Sequence, residues 1–130
     1  MERKTEAIRA SGSSSSEQVQ RFGSVAVLKP EKAEYYKQLH ANPWPSVCQQ
    51  IRSSHIRNYS IFVKEIDGKE YLFSYFEYIG DNFAADMETM AKDPETQRWW
   101  KEAVPCLIPL PESGAKGEVW SGAQQVFHLD

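Results

Sequence analysis

From Ile56 to Ile66 the chain alternates, with Tyr59, Ile61 and Val63 on one side of an extended strand and Asn58, Ser60, Phe62 and Lys64 on the other. Asp67-Gly68 is a strong signal for a tight hairpin turn, and Tyr71 to Ile79 is a second, aromatic-rich strand, so the two should pair antiparallel. Upstream, Phe22 to Leu28 is rich in small and β-branched residues and reads as a strand that stops before Lys29-Pro30-Glu31. Pro30 suits the first turn of a helix over about 31–41, which puts Tyr36 and His40 on one face and Tyr35 with Leu39 on a neighbouring one. Pro43 ends that helix, and Pro45 opens another through Val47, Cys48 and Ile51 to about Ser54. Gly80-Asp81-Asn82 introduces a helix from about Phe83 to Lys92, and Asp93-Pro94-Glu95 starts a further one through Trp99, Trp100 and Ala103. Pro105, Pro109, Pro111, Gly114 and Gly117 mark a long irregular segment, after which Gln124 to Leu129, carrying Val126 and Phe127, is expected as the last strand.

Strand, helix, strand, strand, helix, strand is the order of a ferredoxin-like βαββαβ α+β domain, an antiparallel sheet with helices on one face. The other face would be bare. Because aromatic residues fall on both faces, a second cover is needed, and the simplest source is the identical sheet of a homodimer.

Composition narrows the class of protein. The chain has 130 residues, 41% of them hydrophobic and 12% aromatic, which suits one domain, taken as 21–130, with a real core. Residues 1–20 hold the run Ser11-Gly12-Ser13-Ser14-Ser15-Ser16 and too little apolar surface to offset the entropy of ordering, so they read as a disordered serine-rich tail. A net charge of -3 from well-mixed signs gives no basic block to track a phosphate backbone, which argues against nucleic acid. Cys48 and Cys106 fit neither metal spacing nor a disulfide framework and read as free thiols in a reducing compartment. The start lacks the apolar run of a secretory signal and no later run could span a bilayer, so a cytoplasmic protein without membrane contact is expected.

The candidate chemistry lies around the end of the first helix. Tyr36 and His40 are four residues apart, with Cβ atoms roughly 5–6 Å from one another on a helix, close enough to act on one small molecule. An imidazole there can take or give a proton near neutral pH. Neighbouring residues on a helix point roughly 100° apart, so Trp99 and Trp100 cannot fill the same core position, and at least one should line a cavity or an interface. Each residue has a plainer reading: His40 alone suits a helix C-terminus, Tyr36 an amphipathic helix and Tyr59 an ordinary strand. His55 and His128 read as structural, and Glu77 and Asp86 as solvated surface. Three separated histidines without a carboxylate at ligand spacing do not suggest a metal site.

Taken together, Tyr36-x-x-x-His40, Trp44-Pro45, Asn58-Tyr59, Gln97-Arg98-Trp99-Trp100 and Val126-Phe127-x-Leu129 resemble the L-rhamnose mutarotase family, from Phe22 to the end of the chain. The resemblance implies a dimeric α+β barrel that interconverts the α and β anomers of a 6-deoxy sugar without a cofactor. It implies His40 as proton donor and Tyr36, Tyr59, Trp99 and Trp100 as sugar-binding residues. Ser46 stands where an acidic residue often follows the Trp-Pro pair, and the proline-rich loop over 105–121 is longer than usual, so L-fucose stays beside L-rhamnose as a candidate sugar. Mutarotation needs one group to protonate the ring oxygen and one to take the anomeric hydroxyl proton; a histidine suits such work, and either Tyr36 or Tyr59 could relay the second proton. A different occupant of the same barrel architecture, haem or a small aromatic ligand, is the alternative reading.

Overall fold

The computed structural model describes residues 18–130. The chain runs β1 (Gln20–Leu28), α1 (Ala33–Ala41), α2 (Pro45–Ser53), β2 (Ile56–Ile66), β3 (Lys69–Tyr78), α3 (Phe83–Lys92), α4 (Pro94–Ala103), β4 (Leu107–Ile108), α5 (Pro111–Gly114) and β5 (Ser121–Ala123). Most of the expected serine-rich tail, residues 1–17, lies outside the described residues, and Gln20 already belongs to β1. The sheet order is β2-β3-β1-β4, with β5 also on β1, and every pair is antiparallel. This is the ferredoxin-like α+β arrangement. At the hairpin, Asp67 and Gly68 have φ of 51° and 81°, the pair of positive values that lets a two-residue turn follow the right-handed twist of its strands.

Register decides which residues face the helices. Phe22 lies opposite Phe76, Ser24 opposite Ser74 and Ala26 opposite Leu72, so even-numbered positions of β1 and β3 share a face. On that face Ala26, Leu28 and Leu72 form one buried cluster with Ala33 and Tyr36 of α1, Val47 of α2, and Trp99 and Ala103 of α4. Ser24 and Ser74, polar in that layer, share a hydrogen bond of 2.6 Å between hydroxyls. The odd positions, Val25, Val27, Phe73 and Tyr75, make the other face, which stays partly open, and Phe62 of the edge strand is 63% exposed there.

Side chains start both later helices. Asn82 accepts from Ala85 N at 3.1 Å, and Asp93 accepts from Thr96 N at 2.9 Å, caps that contribute on the order of 1 kcal/mol each. Behind α3, Tyr78 is 1% exposed and donates from its hydroxyl to Asp86 Oδ2 at 2.5 Å, while His55 Nδ1 meets the same oxygen at 2.9 Å. Hydrogen bonds from Tyr78 first and His55 second hold the Asp86 carboxyl below its ordinary range. Asp86 therefore ties α3 to the sheet, where the sequence suggested solvated surface. Gly80 passes close over this pair: a Cβ on it would stand 2.4 Å from the Tyr78 hydroxyl oxygen.

The closing strand differs from expectation. Gln124 to Leu129 carries no strand, and Val126, Phe127 and Leu129 are 81%, 77% and 78% exposed. The strand is Ser121–Ala123, opposite Gly23 to Val25 of β1. Small residues give no hydrophobic alternation, so this stretch has no sequence signal, whereas the apolar residues that follow it carry the pattern without the pairing. The segment over 105–121, expected to be irregular, contains β4 and the one-turn α5. Among the described residues no helix is long and apolar enough to cross a membrane.

Candidate active site

Pro43 ends α1, and Pro45 starts α2 from the extended Trp44, whose carbonyl accepts from Val47 N at 3.0 Å and Cys48 N at 3.1 Å. That bend brings Trp44 over α4. On α4 the residues buried are Thr96, Trp99 and Ala103, one helical stripe, so Trp99 enters the core at 9% exposure while Trp100 points away at 39%. The Trp44 and Trp99 rings meet edge to face at 5.2 Å, and the Arg98 guanidinium lies over the Trp44 ring, 5.2 Å from its centroid. Ser46 links α2 to α4 through a 3.2 Å hydrogen bond to Glu95.

His40 stands between two rings, with centroids 4.0 Å from Tyr36 and 5.1 Å from Trp99, the latter nearly perpendicular. Its Nδ1 is 2.8 Å from the Tyr36 carbonyl oxygen. A carbonyl only accepts, so Nδ1 carries the hydrogen and Nε2 is the free lone pair of the neutral ring. Burial pulls the imidazole below its ordinary pKa of 6.5, and the hydrogen bond to the Tyr36 carbonyl opposes that pull in part. The resting ring is therefore neutral at pH 7. A hollow of about 270 Å³ opens beside it, walled by Tyr36, Lys37, His40 and Ala41 of α1 and by Ile61, Val63 and Leu72 of the sheet. Lys37 sits on this wall with its ammonium 3.2 Å from Glu70.

Tyr36 belongs to the core and the site at once. It is 4% exposed, and burial, then the charge of the neighbouring Tyr59 phenol, drives its pKa far above the ordinary value of 10.0. Tyr59 is 44% exposed as a whole residue, but its phenol sits in crowded surroundings that also raise its pKa, and its ring meets Phe76 at 5.5 Å. Both phenols stay protonated across neutral pH and can donate throughout.

The structure thus draws Tyr36, His40 and Trp99 together and sets the Tyr59 ring against Phe76, while Trp100 stacks on no ring among the described residues. Sequence reasoning missed the apolar wall of Ile61, Val63 and Leu72, and took Trp44 as part of a motif without a place in the site. A tryptophan between two prolines was the available signal. Among the described residues no three His, Cys, Asp or Glu side chains gather at one point as metal ligands.

A family model described as L-rhamnose mutarotase matches residues 21–129. The L-rhamnose mutarotase of Bacillus subtilis (strain 168) is 30% identical over 113 residues, covering 86% of this chain and 100% of that protein. That of Lactiplantibacillus plantarum is 31% identical over 110 residues, covering 85% of this chain and 98% of that protein. The crystal structure of an L-rhamnose mutarotase from Formosa agariphila has the same fold, with a TM-score of 0.61 at 20% identity over 85% of this chain and 99% of that one. A match that runs from the second residue of β1 to the penultimate residue leaves one assignment: the chain belongs to the L-rhamnose mutarotase family.

Proposed function

We propose that this protein interconverts the α and β anomers of L-rhamnose by acid–base opening and closing of the pyranose ring, with His40 moving the proton and Tyr36, Tyr59, Trp99 and Trp100 binding the sugar. The observation that carries the reading is His40 itself, fixed by its Nδ1 hydrogen bond, neutral at rest, and on the wall of a hollow large enough for a small ligand. In the forward step Nε2 takes the proton of the anomeric hydroxyl, the C1–O5 bond breaks and an aldehyde forms at C1. A phenol O–H stabilises the departing ring oxygen, which then receives the proton from the imidazolium. Rotation about C1–C2 and the reverse sequence close the ring on the other face, with no net change in atoms or charge. The proton donor of one half-reaction is the base of the other. Such help contributes on the order of 10²–10⁴-fold.

Trp99 is suited to cover the C–H face and methyl group of a deoxy sugar, and Trp100, one residue along the helix, to form the outer wall. The partly open sheet face suits the interface of a homodimer, whose sheets close into an α+β barrel, and the working compartment is the cytoplasm. The one-domain reading, 21–130, accompanies this. Saturation-transfer NMR on L-rhamnose and L-fucose tests the activity. Exchange between anomers of L-rhamnose well above the buffer rate is expected, with L-fucose slower; no acceleration of either sugar would overturn the reading.

A further inference from the structure

From Ile56 to Val63 the helix-facing residues of β2 are Ile56, Tyr59, Ile61 and Val63, a spacing of three and then two and two. Strict alternation from the buried Ile56 would turn Tyr59 to the opposite face. The parity changes because the register slips between Arg57 and Ser60: Arg57 lies opposite Glu77 and Ser60 opposite Tyr75, leaving Asn58 and Tyr59 together across from Phe76 alone. Asn58 supplies the extra residue with φ of 51°, a left-handed conformation that asparagine tolerates better than most side chains.

The bulge is also held from outside. Asn58 Nδ2 donates to Glu77 Oε1 at 2.8 Å, and the other carboxylate oxygen of Glu77 accepts from the Tyr75 hydroxyl at 2.7 Å. Arg21 is the Cα partner of Glu77 on β1 and adds a favourable charge. Those two hydrogen bonds, and then Arg21, hold the Glu77 carboxyl below its ordinary range, the sign expected when an ionised acceptor is what the network uses. Glu77, which the sequence suggested as solvated surface, is thus committed to the face of the sheet away from the helices. On the helix side the Tyr59 ring rests edge-on against Phe76, which is stacked on Phe22 and Phe83.

We propose that Asn58 and Glu77 are positioning residues of the reaction: through the bulge, from the face of the sheet opposite the sugar, they aim the Tyr59 phenol into the site. A supporting residue that fixes a ligand-binding side chain to within a fraction of an ångström controls rate without touching substrate. The proposal rests on Tyr59 as a sugar-binding residue, as set out under the proposed function.

The test is a double-mutant cycle read by anomer exchange, with the Tyr59 ring followed by NMR of ring-labelled tyrosine. Asn58→Ala loses the anchor and strains the backbone; Asn58→Gly loses only the anchor, so it remains informative if the alanine variant fails to fold. Both are expected to lower kcat/KM about tenfold or more in the wild-type background. In a Tyr59→Phe background they should cost less than about twofold further, because the residue they aim is already disabled. Glu77→Gln keeps an acceptor and is expected to restore most of what Glu77→Ala loses. In Asn58→Gly and Glu77→Ala the Tyr59 ring resonances should shift as the ring leaves Phe76. Equal losses in both backgrounds, or Tyr59 resonances unmoved in Asn58→Gly, would overturn the proposal. If Tyr59→Phe leaves exchange untouched while those resonances still shift, the role of Tyr59 in the reaction fails and the bulge's hold on it stands.

Discussion

The two faces of the sheet are built from the same strands and differ in almost everything else. On the helix side Ala26, Leu28 and Leu72 are 0%, 1% and 2% exposed and lead directly into the rings around His40, whereas on the other side Phe62 is left 63% exposed. A side chain whose surroundings come from α1, α2 and α4 of its own chain can be placed for chemistry by folding alone. Large apolar residues left in water are what the homodimer interface proposed above would cover.

That contrast is open to disruption. The largest effect is expected from His40→Ala, a fall in kcat of about 10²–10⁴-fold with circular dichroism unchanged; kcat near that of the parent would remove the imidazole from the reaction. Leu72→Ala, on the same face, should cost about 2–5 kcal/mol of unfolding free energy in urea, since its neighbours are fixed by three helices and collapse little into the gap. Phe62→Asp on the open face, the homodimer interface proposed above, should leave secondary structure in place and sediment as a monomer where the parent sediments as a dimer. A dimer that survives this change at micromolar concentration would put the interface elsewhere.

How much of this the sequence disclosed depended on whether a pattern was local. Alternation in β2, the Asp67-Gly68 turn and the proline-started helices are set by near neighbours, and they were legible to within a residue or two. The four-residue spacing of Tyr36 and His40 was local as well, and so was the divergence of Trp99 from Trp100. Ser121–Ala123 was missed because a three-residue strand of small residues exists only by virtue of the Gly23–Val25 edge it meets. The bulge at Asn58 is a two-against-one pairing and has no meaning in a single strand. The four-residue spacing suggests chemistry for Tyr36 rather than packing, yet at 4% exposure it is a core residue, since the hollow beside it is cut into the core instead of lying on it.

Smaller effects sharpen the comparison within α4. Trp99→Ala should raise KM several-fold through loss of a buried ring against His40, and Trp100→Ala should do so less, because its ring is the exposed one. A fall in kcat alone for Trp99→Ala would assign it to the transition state instead. The smallest change lies in pH. The lowered pKa of His40 means that kcat/KM should climb with pH along a limb centred below 6.5. The unfolded imidazole binds a proton near 6.5 and the folded one more weakly, so this residue's contribution to stability is present above 6.5 and is lost as pH falls from there through the lower folded value. A limb centred above 6.5 would mean that a group other than His40 sets the acid side.

Position 80 bears on how sequences of this kind can drift. Any side chain there would collide with the Tyr78 hydroxyl at 2.4 Å and Asp86 Oδ2 at 2.9 Å, and Tyr78, enclosed at 1% exposure, has nowhere to retreat. Because the ring carbon Cζ of Tyr78 would itself stand 2.6 Å from a Cβ at position 80, substitution at this glycine should become tolerable only after the whole Tyr78 ring has given way to a smaller side chain such as leucine, so the order in which the two mutations arise, and not only their sum, decides whether an evolving lineage keeps a folded protein.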